Sequence, residues 1–331
     1  MTGKVLTAAA VAVLLAACRR HQASEAPPAP ARPSAKASAA RVDPAVHIRG
    51  VQFLVDPAIR LEVRELTGRL QRTRDGDLPF FDDPTSFRFL AERGEVAIST
   101  ASMAALLNHY TFGYQGAPLS DLELEVHDGK LRQRGKLHKG GLEVPFEMDG
   151  ELSLRPDGRL QVHPTTIKAG GVGVTHLLDA LDVELVEVIK VRADRGVTLD
   201  GDDLLLAPRS LLPPPGVVGT LSGVHLEGQS IVLEFGGGPA DEPAPAGRRA
   251  ENFMAFQGGG LRFGKLTMRR TDLRIVDADP RDPFLFDLPH YRRQLVAGYS
   301  ITTADLGLIA VMPDADQVEE PLAPNRPGAP L

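Results

Sequence analysis

Residues 122–162 read LELEVHDGKLRQRGKLHKGGLEVPFEMDGELSLRPDGRLQV, and this stretch decides the fold. Leu122, Leu124 and Val126 fall on every second position, the period of a strand with one apolar face. Asp128-Gly129 follows. Both residues tolerate positive φ, so the pair predicts a tight hairpin turn, with Leu131 to Leu137 as the returning strand. Leu142, Val144, Phe146, Met148, Gly150, Leu152 and Leu154 then hold alternate positions over a single run. Pro156-Asp157-Gly158 turns the chain again, and Leu160 and Val162 return. The pattern is that of antiparallel strands buried on one face. A run from 142 to 154 exceeds the usual strand of about five or six residues. A sheet built from such strands must twist and coil around something.

The next segment supplies a candidate. Val174, Leu177, Leu178, Leu181, Leu185, Val188 and Ile189 recur at helical spacing, which predicts a long amphipathic helix with its acidic residues largely off the apolar stripe. A second, short helix is expected after Ser99 or Thr100, either of which can cap it, with Met103, Leu106, Leu107 and Tyr110 along one side. Upstream, Val46, Ile48, Gly50, Gln52 and Leu54 alternate, then Ile59, Leu61 and Val63, then a short strand at Val96–Ile98. Residues 74–85 hold turn formers and predict a loop. Downstream, strands are expected near Val197–Leu199, Leu204–Leu206 and from Val224 to Phe235. Beyond residue 250, Leu261-Arg262-Phe263, Leu266-Thr267-Met268 and Leu273-Arg274-Ile275 weakly echo the pattern of residues 221–233 and suggest further strands of the same sheet. The fold class expected is α+β: a long, strongly curved antiparallel sheet wrapped against one long amphipathic helix and one short helix, with extra C-terminal strands.

The amino end carries a different signal. MTGKVLTAAAVAVLLAACRR has one basic residue, Lys4, then a short apolar run, then small residues before Cys18. That is the layout of a secretory signal peptide, and the run is too short to span a bilayer as a helix. Leu15-Ala16-Ala17-Cys18 resembles the lipobox of bacterial lipoproteins. The resemblance implies cleavage before Cys18, acylation of that residue, palmitate included, and a membrane anchor. Arg19, in the position where Asp often retains such proteins at the inner membrane, implies the periplasmic face of the outer membrane. Residues 18–41 are rich in Pro and Ala and read as a tether of up to ~70 Å if fully extended in polyproline form.

Composition narrows the function classes. The 331 residues contain no Trp and only one Cys, so a folded body beyond Cys18 has no disulfide. The net charge of −6 is uneven: residues 19–41 carry +4, and with Lys4 set aside the rest carries −11. The basic tether suits either anionic headgroups or a merely soluble linker. An acidic body poor in aromatics argues against nucleic acid as a partner.

Motifs with chemistry are few. Gly259-x4-Gly264-Lys265 approaches a phosphate-binding loop, but Leu266 stands where Ser or Thr is needed to hold Mg²⁺. Asp277, Asp279 and Asp282, and likewise Asp200, Asp202 and Asp203, read as acidic turns in preference to Ca²⁺ ligands. Histidines are scattered without metal-ligand spacing, no Gly-x-Ser-x-Gly elbow occurs, and Ser102 reads as a capping-region residue. Lys168 to Val174 (KAGGVGV) reads as a hinge or, alternatively, an anion cradle at a helix start. The chain is therefore expected to be neither an enzyme nor a holder of metal or cofactor.

Residues 98–107 (ISTASMAALL), 117–137 (APLSDLELEVHDGKLRQRGKL) and 144–174 (VPFEMDGELSLRPDGRLQVHPTTIKAGGVGV) together resemble the tubular lipid-binding fold, nearest its small bacterial envelope members of the LmeA-like and YceB-like groups. The resemblance covers about residues 45–235. It implies a sheet coiled around a helix, an apolar groove, and a non-catalytic lipid carrier or sensor. The groove candidates are Val144, Phe146, Met148, Leu152 and Leu154 on the sheet, with Leu177, Leu181, Leu185 and Val188 on the helix; the same residues serve equally as a filled core. The expected organisation is a signal peptide over 1–17, the anchored tether over 18–41, a lipid-binding-like α+β domain over 42–235, a linker or long loop over 236–250, a C-terminal β segment over 251–313 and a disordered tail over 314–331. The expected partners are the membrane through lipidated Cys18, a phospholipid or other hydrophobic ligand, and an envelope protein. Alternatives are a structural or assembly module of the envelope and, less favoured, a hydrolase of envelope polymers.

Overall fold

The computed structural model describes residues 42–139, 141–170, 172–173, 191–236 and 252–318. Cys18, the tether, the helix expected over 174–189 and the tail beyond 318 lie outside the described residues.

The chain opens with three long strands, β1 (Ala45–Asp56), β2 (Ile59–Arg72) and β3 (Phe87–Ser99). A short helix, α1 (Thr100–Leu106), then leads to β4 (Leu119–His127), β5 (Lys130–Lys139), β6 (Leu142–Leu154), β7 (Leu160–Ala169) and β8 (Val172–Gly173). Next come β9 (Val197–Asp200), β10 (Asp203–Leu206), α2 (Pro208–Leu211), β11 (Val217–Gly219), β12 (Leu221–Glu227) and β13 (Ser230–Phe235). The C-terminal part holds β14 (Phe253–Gly258), β15 (Leu261–Phe263), β16 (Leu266–Met268), β17 (Thr271–Asp277), β18 (Phe284–Asp287), α3 (Tyr291–Ala297), β19 (Tyr299–Thr302) and β20 (Leu308–Met312).

The α+β class and the antiparallel character hold. The expectation of one curved sheet is corrected: the strands divide between two large sheets and one separate hairpin. The first sheet runs β12-β13-β3-β2-β1-β14-β17-β20-β19, with β11 added beside β3 and β18 beside β1. The second runs β4-β5-β6-β7-β10-β9, with β8 beside β7, and β15-β16 stand alone. The division has a local cause. Ser99 ends β3 and its hydroxyl accepts the Ser102 N–H at 3.1 Å, so a capped helix carries the chain out of the first sheet. Three pairings are parallel, β1 with β18, β3 with β11 and β17 with β20. Residues 252–318 share the first sheet with residues 45–99, because β14 pairs antiparallel with β1.

Both predicted turns form. Asp128 (φ 49°) and Gly129 (φ 72°) close the β4–β5 hairpin with His127 opposite Lys130. Leu154 faces Leu160 across the Pro156-Asp157-Gly158 turn, where the Arg155 N–H donates to the Arg159 carbonyl at 2.9 Å.

One alternation was misread at its middle. Val46 and Ile48 are buried, but beyond Gly50 the buried residues are Val51 and Phe53, not Gln52 and Leu54. Gly50 has φ 60°, and at that residue the neighbour of β1 changes from β14 to β18. β2 shifts in step: Val63 and Leu66 are buried with Arg64 and Glu65 between them, where the β2–β3 register slips. Two other expectations change in extent. The strand expected at Val96–Ile98 is the end of the longer β3, and Phe80 and Phe81, inside the 74–85 loop, are buried core residues.

The core is one continuous cluster that joins both sheets. The second sheet turns Leu131, Met148, Leu160 and Val162 inward. Its other face carries ion pairs across neighbouring strands, Arg132 with Asp149 at 2.6 Å and Arg134 with Glu147 at 2.8 Å. The Arg132 bond holds the Asp149 carboxyl below the usual carboxylate range, and bonds from Lys168 and then Arg134 do the same for Glu147.

Candidate functional site

The sheets do not meet evenly. Beside β11 they leave a half-open recess of about 430 Å³, lined by the turn from Leu154 to Gly158, by Pro208 and Arg209 of α2, by residues 217–221 and by Phe235. Each wall has a local origin. The turn is set by Pro156 and by Gly158 at φ 79°. α2 starts on Pro208, which suits the first helical turn, and the Ala207 N–H donates to the Gly196 carbonyl at 2.8 Å. Gly219 sets the third wall: a Cβ there would lie 2.4 Å from the Ala91 carbonyl oxygen and 2.8 Å from the Phe235 ring, so only glycine lets β11 close onto β3.

The recess leads inward. Beneath it is a void of about 30 Å³ bounded by Leu61, Val96 and Ile98 of the first sheet, Met103 and Leu106 of α1, and Leu160 of β7. Beyond that lies another of about 20 Å³ next to Ile48, Phe53 and Phe89. Val217 lines all three spaces, so they form a seam that ends in hydrocarbon. The two inner voids have room for about one water each, but offer it almost no polar partner, and such cavities stay dry.

The rim of the recess is charged. Arg155 pairs with Asp200 at 2.9 Å, and Arg159 pairs with Asp157 at 2.7 Å. Arg209 is exposed and, among the described residues, has no hydrogen bond or ion pair. The rim thus carries one guanidinium more than it has carboxylates.

The sequence-predicted groove residues lie on one face of β6. Met148 is buried within the core, while Phe146, Leu152 and Leu154 are half-buried at its margin. Val144 is half-buried opposite Leu137. Leu154 alone of these lines the recess. Leu177, Leu181, Leu185 and Val188 fall outside the described residues, as does Cys18. The sequence reading missed Val217, Phe235 and Arg209. Phe235 ended a predicted strand; no periodicity over residues 217–219 marked them as a wall.

The other candidate clusters have structural uses. Glu95, His225 and Glu227 are the one trio of potential metal ligands that converges among the described residues. The Arg64 guanidinium occupies that ground, donating to Glu95 at 2.7 Å and to both Glu227 oxygens at 2.7 and 2.9 Å. Arg64 holds the Glu227 carboxyl below its usual range. Asp277 accepts from the Asn252 side chain at 2.9 Å and from the Asp279 N–H at 2.8 Å, which is the bonding of a turn. Asp200 and Asp203 are likewise engaged, by Arg155 and by His163. Residues 261–263 and 266–268 form the β15–β16 hairpin, so the Gly259-to-Lys265 stretch is not a phosphate cradle; the Gly264 N–H donates to the Tyr291 hydroxyl at 2.8 Å. Ser102 accepts the Arg60 N–H at 3.1 Å.

No family model matches the sequence, and no curated protein and no solved structure is significantly similar to it. Among the described residues no helix is long and apolar enough to cross a membrane.

Proposed function

We propose that this chain is a bacterial envelope lipoprotein, anchored through Cys18 at the periplasmic face of the outer membrane, that binds a hydrophobic ligand without catalysis, as a carrier or sensor. The observation that carries the reading is the recess itself. At about 430 Å³ it lies within the ~300–1,000 Å³ range of small-molecule pockets, and its floor continues into an all-apolar seam. The fold would resemble the tubular lipid-binding proteins in placing the ligand between sheet faces. Native mass spectrometry of the full chain purified from membranes, followed by organic extraction, tests it. The expected result is a stoichiometric hydrophobic adduct that Val217→Asp abolishes in a protein with unchanged circular dichroism. A folded chain that is always empty and takes up no fluorescent fatty acid overturns the reading.

An assembly module is the second reading, supported by one edge of the first sheet. β19 is exposed at all four residues and carries no charge, and Val296 and Leu306 beside it are 69% and 87% exposed. Uncharged, unprotected edges are templates for strand pairing. Loss of co-purifying envelope proteins on Ile301→Lys, with ligand content unchanged, would favour this second reading.

A further inference from the structure

We infer that the recess takes a single-chain amphiphile with an acidic head, such as a fatty acid anion, and that Arg209 is the group that selects the head. This rests on the ligand-binding reading above and narrows it to a chemical class.

The selection of charge follows from the rim. Two carboxylates stand there, Asp157 and Asp200, and each is already engaged by an arginine, Arg159 and Arg155. Arg209 lines the same recess and has no partner of its own among the described residues. A guanidinium forks two parallel donors toward a carboxylate or phosphate oxygen pair, and charge-assisted hydrogen bonds of this kind are about twice as strong as neutral ones. The opposite wall adds donors. Among the described residues β11 pairs only with β3, and its other edge has no strand partner beside the recess. An acidic head meets donors on two sides; a cationic head would meet an uncompensated arginine.

The selection of one chain over two follows from the seam. A tail leaving the recess must pass Val217, the residue common to all three spaces. The voids beyond it are about 30 and 20 Å³; the nearer is bounded by side chains of both sheets, Leu160 coming from the second, and the farther by the first sheet with Pro215 and Leu288. One hydrocarbon chain can follow such a line by displacing Val217 and its neighbours. Two chains side by side would have to part the first sheet from the second, and both are joined in one close-packed core.

The test uses the full chain carrying Cys18→Ala, which keeps its own acyl groups out of the measurement. cis-Parinaric acid serves as the fluorescent probe. It is displaced by dodecanoate, dodecanol, dodecyltrimethylammonium and a dilauroyl phosphatidylglycerol. Dodecanoate is expected to bind about tenfold more tightly than dodecanol, equivalent to ~1.4 kcal/mol, with the ammonium weaker still and the diacyl lipid unable to compete. Arg209→Gln is expected to remove that tenfold preference and to leave dodecanol unchanged. If dodecanol and dodecanoate compete equally in both proteins, or if the diacyl lipid competes best, this inference fails while the ligand-binding reading stands. If the probe does not bind at all, both fail.

Discussion

The interior has a closed end and an open end. At the closed end Phe81 stacks on Phe87 with ring centroids 5.4 Å apart and meets Phe256, Phe263 and Tyr291 edge-on at 5.4, 5.3 and 5.8 Å. Asp82, next in sequence, has a side chain with no exposure at all; it accepts from the Tyr291 hydroxyl and pairs with Arg292. At the open end Phe235, Val217 and Pro208 stand around a recess instead of around one another. The closed end is a cluster of stacked and edge-on rings, while the open end sets Phe235 among aliphatic side chains, Gly219 and charged rims.

That contrast is broken or sharpened first by paired truncations. Phe81→Ala removes a ring that is 1% exposed and meets five others, and is expected to cost about 3–5 kcal/mol. Phe235→Ala, on the wall of an existing space, is expected to cost at least ~1 kcal/mol less, since solvent and neighbours can fill the site. Chemical denaturation of both measures the difference, and equal losses would mean the open end is packed as firmly as the closed one. Asp82→Ala removes the fully buried carboxylate that pairs with Arg292, and unfolding should show a loss of about 3–5 kcal/mol, as for other broken buried pairs. A loss below ~1 kcal/mol would show that water reaches Arg292 and that this end is not closed.

A smaller effect is read through pH. Burial raises the Asp314 carboxyl to about 6, against the bond it accepts from the Leu285 N–H, and Asp277, Asp282 and Asp316 add to the rise. A folded pKa above the unfolded one gives stability that is fully present below about pH 4 and lost as pH rises through 6. The gap of roughly two units corresponds to about 3 kcal/mol at most. Glu65 behaves oppositely. Burial would raise it, but the bonds from Arg49 and His47 outweigh that and hold it low, so its contribution is lost as pH falls through its depressed folded value. Asp314→Asn is expected to raise stability at pH 7 and to flatten the profile between pH 4 and 7. A profile unchanged by the substitution would mean that Asp314 is solvated in the native state.

The sequence made the second sheet readable and the recess largely unreadable, for physical reasons. Strands exposed on one face must alternate, so Leu122 to Val162 announces its period, and Asp128-Gly129 its turn, from local chemistry alone. β1 is harder, because a single glycine at position 50 inverts its phase and nothing in the flanking residues records that. The separation into two sheets depends on which strands pair, which is non-local. The recess is harder still: Leu154, Arg209, Val217 and Phe235 come from four elements and share no spacing. Only Leu154 was reached, through the alternation of β6. Phe81 was lost to its Pro- and Asp-rich loop, where composition signals exposure and packing overrules it.

The smallest effect concerns the helix that carries the chain from one sheet to the other. α1 supplies Met103 and Leu106 to the void beneath the recess, so its first turn belongs to the open end. Ser99→Ala removes the cap on the Ser102 N–H, a change worth about 0.5–2 kcal/mol at helix starts in general. Here the low end of that range is expected, because the Thr100 N–H also donates to the Gln229 carbonyl at 2.8 Å and holds the helix start to the β12–β13 turn. Denaturation should therefore show a midpoint shift with an unchanged slope. Ser99→Asp, which keeps an acceptor at the cap, should restore the midpoint. Fatty acid uptake by the alanine variant carries the further information. If α1 is the movable wall of the seam, loosening its first turn speeds entry of the probe without altering the preference for an acidic head. An unchanged entry rate would place the movable wall elsewhere, at Val217 and β11.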